Sequence, residues 1–482
     1  MVEETVVVDV VKIEEHEGPL MLPIGLSLSA AIKVLTEERQ SRETVISLNA
    51  PIEGFVPDVA HAFFMVMKAR FGWVQNRPTP GFFGNEPPMM LTVATGLNSH
   101  VQVPWGRTTV PGVDGYIEPG ARKHDGRYRF VMGGEVKRKH EHLVMQIVED
   151  TKRYVREHSV YKGKAFRLTL NDSDGDALPM PEPRFLDINR SLKDELVFSA
   201  DVQTAIETSV FAPIVHTDVV RALGVPRKRG ILLSGPYGTG KSMTSTVVAD
   251  LATTHGWTFI LCERPTELAD ILRLAREYGP AVVFCEDIDR VMTGQRTMDM
   301  DEVLNVVDGI ESKNAELMVV LTTNHVENIH QAMLRPGRLD AVIDVRPPDA
   351  KAAERLIRLY GRGLIDPEQS LARAGKLLDG QIPAVIQEVV ERSKLAATWR
   401  NPDTKWVAGA ITEDDLVAAT TTIQNQLQLL AGRVEDDRSD AEKAASILVA
   451  GNLEVAKLTT PHSLNNGGHA EYPLGDPQGN VI

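Results

Sequence analysis

The apolar positions change their period along the chain. Over 4–13 and again over 91–103 they alternate with polar ones, which predicts strands. Over 141–161, Leu143, Ile147, Tyr154 and Val155 fall near helical spacing and predict a helix. Beyond about residue 196, short uninterrupted apolar runs alternate with amphipathic stretches. Strands are predicted at 230–233, 258–261, 281–285, 317–322 and 341–345, with helices at 243–255 and 267–278. Continuous apolar strands separated by helices specify a parallel sheet covered on both faces. From 349 to about 432 the pattern is helical throughout. A charged stretch follows, then a predicted helix over 440–458 and a polar tail rich in Asn, Gly and Pro.

Three zones rich in Gly, Pro or charge, at 76–88, 112–134 and 171–183, read as punctuation. The resulting division is an α+β N-terminal domain at 1–140, a middle segment and linker at 141–195, an α/β core at 196–348, a helical domain at 349–432, and a C-terminal helix with a flexible tail at 433–482. There is no internal repeat.

Composition narrows the class. With 482 residues, 43% apolar, several domains can each bury a core. The net charge of −14 argues against non-specific nucleic-acid binding. Two cysteines, Cys262 and Cys285, exclude a disulfide scaffold or a Cys-based zinc site. No run of about 18 apolar residues predicts a membrane span, and the acidic start is unlike a signal peptide. The expected location is cytoplasmic.

The chemistry is concentrated at strand ends. Gly235-Pro236-Tyr237-Gly238-Thr239-Gly240-Lys241-Ser242, followed by Met243, fits G-x-x-x-x-G-K-[ST] between a predicted strand and a predicted helix. Glycines allow backbone N–H groups to turn inward around phosphates, and the helix N-terminus adds its positive dipole end. Lys241 would reach the β- and γ-phosphates, and the Ser242 hydroxyl would take a place on Mg²⁺. The apolar run 281–285 ends in Glu286-Asp287-Ile288-Asp289. Carboxylates at the end of a central parallel strand face the ligand crevice. One is expected to hold the Mg²⁺ shell and the next to orient the attacking water. Asn324, at the end of the 317–322 strand, could hold that water or the γ-phosphate. Arg335 and Arg338 flank Pro336-Gly337 on a bend, and a forked, always-charged guanidinium suits γ-phosphate recognition.

Taken together and in this order, these stretches resemble the AAA family of the AAA+ ATPases over about residues 196–432. The resemblance implies a P-loop core with a parallel sheet, a small helical lid, and ATP and Mg²⁺ as cofactors. Residues 235–242 resemble Walker A, 282–289 Walker B, Asn324 sensor 1, and 333–340 the second region of homology. There Arg335 and Arg338 are implied to reach the ATP of a neighbouring subunit, hence a homo-oligomeric, usually hexameric, ring. Gly380-Gln381 falls where relatives place a residue near the ribose. The usual Asp-Glu order is reversed here, so by position Glu286 becomes the Mg²⁺-side carboxylate and Asp287 the water-activating one. Residues 260–267 run almost directly into the next helix without the aromatic-Gly pair of protein-threading relatives. No HExxH occurs, and the last residues lack the penultimate Tyr of proteasome-docking relatives. The short loop, the Glu-Asp order and residues 304–310 resemble the subgroup of the mitochondrial translocase for the folded Rieske iron–sulfur protein.

Other groups read more simply. Lys137-Arg138-Lys139-His140 reads as a solvated helix start, 171–176 as a turn rather than a calcium loop, and Cys285 as a small apolar strand residue. Trp73, Phe82, Phe83 and Trp105 read as a small core in the first domain. The expectation is a ring-forming Mg²⁺-dependent ATPase that remodels or translocates a protein partner. The alternatives are a nucleic-acid-associated AAA+ ATPase, such as a phage-encoded loader or helicase helper, and an ATP-gated scaffold with weak hydrolysis.

Overall fold

The computed structural model describes residues 27–81, 84–124, 127–188, 192–225, 229–289, 316–329, 339–400 and 407–436. The strand predicted at 4–13, the 304–310 stretch and the helix predicted at 440–458 lie outside the described residues. The chain divides into two units, 1–416 and 417–482.

The first unit opens with α1 (Leu28–Glu43), β1 (Val45–Ile52) and α2 (Val56–Phe71). Ser27 caps α1 by accepting from the Ala30 amide, and Gly72 ends α2 in the left-handed conformation. Short strands follow, β2 (Gln75–Asn76), β3 (Thr79–Gly81) and β4 (Gly84–Glu86). Then come the hairpin β5 (Met89–Gly96) and β6 (Ser99–Trp105), β7 (Thr108–Thr109), and the long pair β8 (Gly115–His124) and β9 (Arg127–Lys137). The order β1-β9-β8-β7-β2 forms an antiparallel sheet. One face packs on α2 and on α3 (Glu141–His158) through Phe63, Phe130, Met132, Ile147 and their neighbours. Trp105 joins this core, Trp73 is half exposed, and Phe82 and Phe83 lie outside the described residues.

The glycine-rich zone at 112–134 is mostly strand, not a loop. Gly115 (φ +138°) and Gly134 (φ +154°) sit where the paired strands approach closely. A Cβ at Gly115 would lie 2.1 Å from the Glu135 carbonyl oxygen, and one at Gly134 would lie 2.5 Å from that of Tyr116. These glycines permit pairing rather than interrupt it. The basic cluster is a one-turn 3₁₀ lead into α3. Lys137 and Lys139 are each paired with both Glu43 and Asp114 at 2.8–3.3 Å.

The second layer is a seven-stranded sheet. It uses β10 (Ala165–Leu168) and β11 (Arg184–Phe185), then β12 (Arg229–Ser234), β13 (Thr258–Cys262), β14 (Ala281–Cys285), β15 (Leu317–Thr323) and β16 (Ala341–Asp344), in the order β11-β10-β13-β14-β15-β12-β16. All neighbours are parallel except β11 on β10. The sheet thus begins before residue 196, in the segment read from sequence as middle segment and linker. Helices α4 (Leu192–Glu195), α5 (Ala200–Ile206), α6 (Ala212–Val215), α7 (Thr217–Ala222), α8 (Lys241–Thr254) and α9 (Leu268–Ala275) accompany it. Every residue of β14 and β15 is buried, as a two-faced cover requires. The 171–176 segment is a turn: Asp172 Oδ1 accepts from the amides of Asp174 and Asp176, each at 2.9 Å.

The helical part contains α10 (Ala350–Gly361), capped by Asp349 on the Ala352 amide at 2.7 Å, α11 (Ala372–Leu377), α12 (Pro383–Arg400) and α13 (Glu413–Asp436). The antiparallel layer and the parallel sheet share buried contacts. Phe55, just before α2, packs edge-on against Tyr161 and Phe166 in the core beneath the parallel sheet.

Candidate nucleotide site

The loop after β12 is shaped by its glycines. Gly235 has φ +147°, and a Cβ there would meet the Val345 carbonyl oxygen at 2.3 Å. Its amide donates to the Thr323 carbonyl at 3.2 Å, which ties the loop to the end of β15. Gly238 and Gly240 also have positive φ, and Gly240 starts α8. The loop is closed from within: Thr239 Oγ1 donates to the Pro236 carbonyl at 3.0 Å, and Lys241 Nζ donates to the carbonyls of Gly235 and Pro236 at 2.6 and 2.7 Å. Thr239 and Lys241 are buried, Tyr237 and Ser242 are exposed, and Met243 is half-buried. Burial lowers the Lys241 pKa, while Asp287, Asp289 and Glu286 pull it the other way. The glycines, the lysine and the N-terminus of the 14-residue α8 thus meet in one short stretch, a composition suited to phosphate anions.

The carboxylates stand beside it. Asp287 has φ +50°, a conformation rare for a residue with a side chain. Its amide donates to Thr322 Oγ1 at 3.2 Å, and its Oδ1 accepts from Asn324 Nδ2 at 3.0 Å. Thr323 Oγ1 donates to Asp289 Oδ1 at 2.8 Å. The ends of β14 and β15 are therefore cross-braced, and Glu286 sits half-buried at the start of the same turn. An oxygen-only pair, the Ser242 hydroxyl and one carboxylate, fits Mg²⁺, which takes few protein ligands beside phosphate oxygens and water.

Sequence reasoning brought out Gly235 to Met243, Glu286, Asp287 and Asn324, and the fold gathers them at the C-terminal ends of β12, β14 and β15. Arg335 and Arg338 lie outside the described residues. Gly380 donates its amide to the Pro348 carbonyl at 3.0 Å. Next to it, Ile382 lies where a Cβ on Gly238 would meet it at 3.3 Å, so the start of α12 abuts the phosphate loop. Sequence reasoning missed the bracing hydroxyls of Thr322 and Thr323. Two successive threonines at the end of a buried strand were the available signal. It also missed His325, whose Nδ1 lies 3.1 Å from Glu327 Oε1. His325 lines a cavity of about 290 Å³ with Gly235, Pro236 and Asn324.

The sheet order, the glycine loop and the braced carboxylates define a P-loop ATPase core. Residues 231–347 match the family described as "ATPase family associated with various cellular activities (AAA)". The chain carries an AAA-family domain. It is 31% identical over 230 residues, 42% of its length, to the 26S proteasome regulatory subunit 6B homolog of Encephalitozoon cuniculi (strain GB-M1), of which it covers 59%. It is 31% identical over 203 residues to the homolog of Dictyostelium discoideum and 32% identical over 219 residues to that of Aspergillus niger. These matches take in 37% and 41% of this chain, and 50% and 51% of those proteins. The chain thus spans about half the length of the curated relatives it matches. No helix among the described residues is long and apolar enough to cross a membrane.

Proposed function

We propose that this chain is a ring-forming, Mg²⁺-dependent ATPase that uses ATP hydrolysis to remodel or translocate a protein partner. The observation that carries the reading is the Asn324–Asp287 hydrogen bond. It sits at the mouth of the phosphate loop, where a water aimed at a γ-phosphate would be held. In this reading the amides of 235–242 and Lys241 bind phosphates. Ser242 and Glu286 hold Mg²⁺, which would neutralise phosphate charge when bound. Asp287 takes the proton from the attacking water and Asn324 positions that water. Arg335 and Arg338 act on the nucleotide of the adjacent subunit. Burial lowers the pKa of Lys241, and the carboxylates of Asp287, Asp289 and Glu286 oppose that shift and favour its cation.

The antiparallel layer is the proposed partner-facing part, and the movement of α10–α12 over the phosphate loop the proposed power step. The 26S proteasome relatives are regulatory subunits by name, which supports a protein rather than a nucleic-acid partner. The connection after β13 differs from that of threading relatives. Glu263 accepts from Thr169 Oγ1 at 3.0 Å, and Arg264 donates to the Asn171 carbonyl at 3.0 Å, so both side chains are tied to the sheet edge. This argues for moving a partner without gripping an unfolded chain at that loop.

The test is a steady-state phosphate-release assay with ATP and Mg²⁺, combined with electron microscopy of particles with nucleotide. Turnover and closed rings are expected. Nucleotide binding without turnover would replace this reading with an ATP-gated scaffold. Mixing Lys241→Ala subunits with Arg335→Ala subunits is expected to restore part of the turnover each lacks alone, because the intact loop of one meets the intact arginine of the other.

A further inference from the structure

The outward face of the antiparallel sheet carries a groove that the nucleotide chemistry does not use. Residues pointing away from the core follow from the register. One row across β1, β9 and β8 holds Ser47, Glu135 and Tyr116; the next holds Asn49, Gly133 and Glu118; the third brings Val131 opposite Gly120. With a wall from β4 and β5 that includes Glu86 and Met89, this face encloses a cavity of about 520 Å³.

Its floor is unusual for a strand. Gly120 and Gly133 lie in the middle of β8 and β9, where glycine weakens a sheet. Neither adopts a left-handed φ. A Cβ at Gly120 would meet nothing nearer than 4.0 Å, whereas one at Gly133 would lie 3.5 Å from the Glu118 carbonyl oxygen and 3.7 Å from Nη2 of Arg122. Gly115 and Gly134 in the same strands are demanded by backbone clashes; Gly120 and Gly133 are not. The missing side chain at Gly120 leaves the floor of the groove open, and Arg122 stands over Gly133. A mid-strand glycine facing open space is one way to let another backbone approach closely.

The rim is acidic. Glu86, Glu118 and Glu135 line it against a single lining cation, Arg122, which is turned to Asn49 at 3.2 Å. Arg107 lies 3.5 Å from Glu118 and stacks over Tyr116, whose hydroxyl bonds to Glu135. Met89, about half exposed, supplies an adaptable apolar side.

We propose that this groove docks an extended polypeptide segment carrying lysine or arginine between small or apolar residues. The backbone would lie over Gly120 and the cations against the glutamates. The inference rests on the reading that this chain acts on a protein partner, and it names the segment by which that partner is held.

The test uses the full chain with ADP and a fluorescein-labelled decapeptide alternating lysine with valine, beside a counterpart with glutamate for lysine. Anisotropy is expected to show binding of the basic peptide alone, weakening as salt is raised. Gly120→Val should weaken it about tenfold by filling the floor, and Glu135→Gln should weaken it severalfold. Unchanged thermal melts of both variants would confirm folding. Absence of binding, equal binding of the two peptides, or undiminished binding in both folded variants overturns the proposal. So does sedimentation showing that the groove is filled by a second copy of this chain, with self-association lost in Gly120→Val. Turnover is read separately: ATPase activity without peptide binding removes the groove alone, whereas peptide binding without turnover removes the ATP-driven reading alone.

Discussion

The hydroxyl of Tyr278 donates to Asp58 Oδ2 at 2.9 Å and accepts from the Phe55 amide at the same distance. Tyr278 stands three residues before β14, whose far end carries Glu286 and Asp287, while Asp58 lies in the first turn of α2. Asp58 also accepts from Ser159 Oγ at 2.6 Å and from the Val160 amide at 3.1 Å. A buried carboxylate with three donors thus joins the antiparallel layer to the strand that presents the acidic pair.

Removing the hydroxyl tests this joint. Tyr278→Phe leaves the Phe55 amide without its acceptor and Asp58 with one donor fewer, both at buried positions. A loss of about 1–3 kcal/mol in unfolding free energy is expected. Denaturant titration measures it, and hydrogen exchange should show the added opening concentrated near Phe55 and Asp58. A loss spread evenly over the chain would argue that the joint is not a local tie.

Burial raises the Asp58 carboxyl above its ordinary range, although the hydrogen bonds from Ser159, Tyr278 and Val160 oppose it. The folded state therefore favours the protonated acid. That contribution is complete below the unfolded carboxylate value of ~3.9 and is lost as pH rises through the higher folded value. Asp58→Asn cannot ionise. The stability of the parent relative to the variant is expected to fall as pH is raised from about 4 toward neutrality. Chemical denaturation at several pH values checks it, and a difference that rises with pH would contradict it.

At the nucleotide site, binding and turnover should separate. Lys241→Ala is expected to weaken nucleotide binding by at least about a hundredfold, read with a fluorescent ATP analogue. Asp287→Asn should keep binding and lower turnover by about 10²–10⁴, the usual worth of a positioned base. Asn324→Ala should lower kcat with little change in KM. Turnover at the parent rate in Asp287→Asn would reassign the base.

Glycines of two kinds should respond differently to alanine. Gly115→Ala puts a Cβ 2.1 Å from a backbone oxygen at positive φ, and a loss of more than about 3 kcal/mol is expected. Gly120→Ala meets only the Val131 carbonyl oxygen, at an unstrained 4.0 Å, and should be neutral or gain up to about 1 kcal/mol from lower unfolded-state entropy. Thermal melts of the two variants decide the matter.

Local chemistry made much of this legible. The strand predicted at 281–285 is observed as Ala281–Cys285, because a fully covered strand must be apolar throughout. The loop at 235–242 could be read because phosphate binding needs glycine and lysine at fixed spacing in a single stretch. The 112–134 zone misled, since a glycine that opens a loop and one that admits a partner strand are the same residue in a list.

The sequence alone determined the alternation of buried strands and helices, the phosphate loop and the acidic strand end, each written within a dozen residues. Only the tertiary structure decided that β10 joins the sheet, that Asn324 meets Asp287 across 37 positions, and that Asp58 meets Tyr278 across 220. Such pairings depend on which strands become neighbours. That choice is made by the packing of whole faces against one another, a sum over many weak contacts that no short stretch of sequence contains.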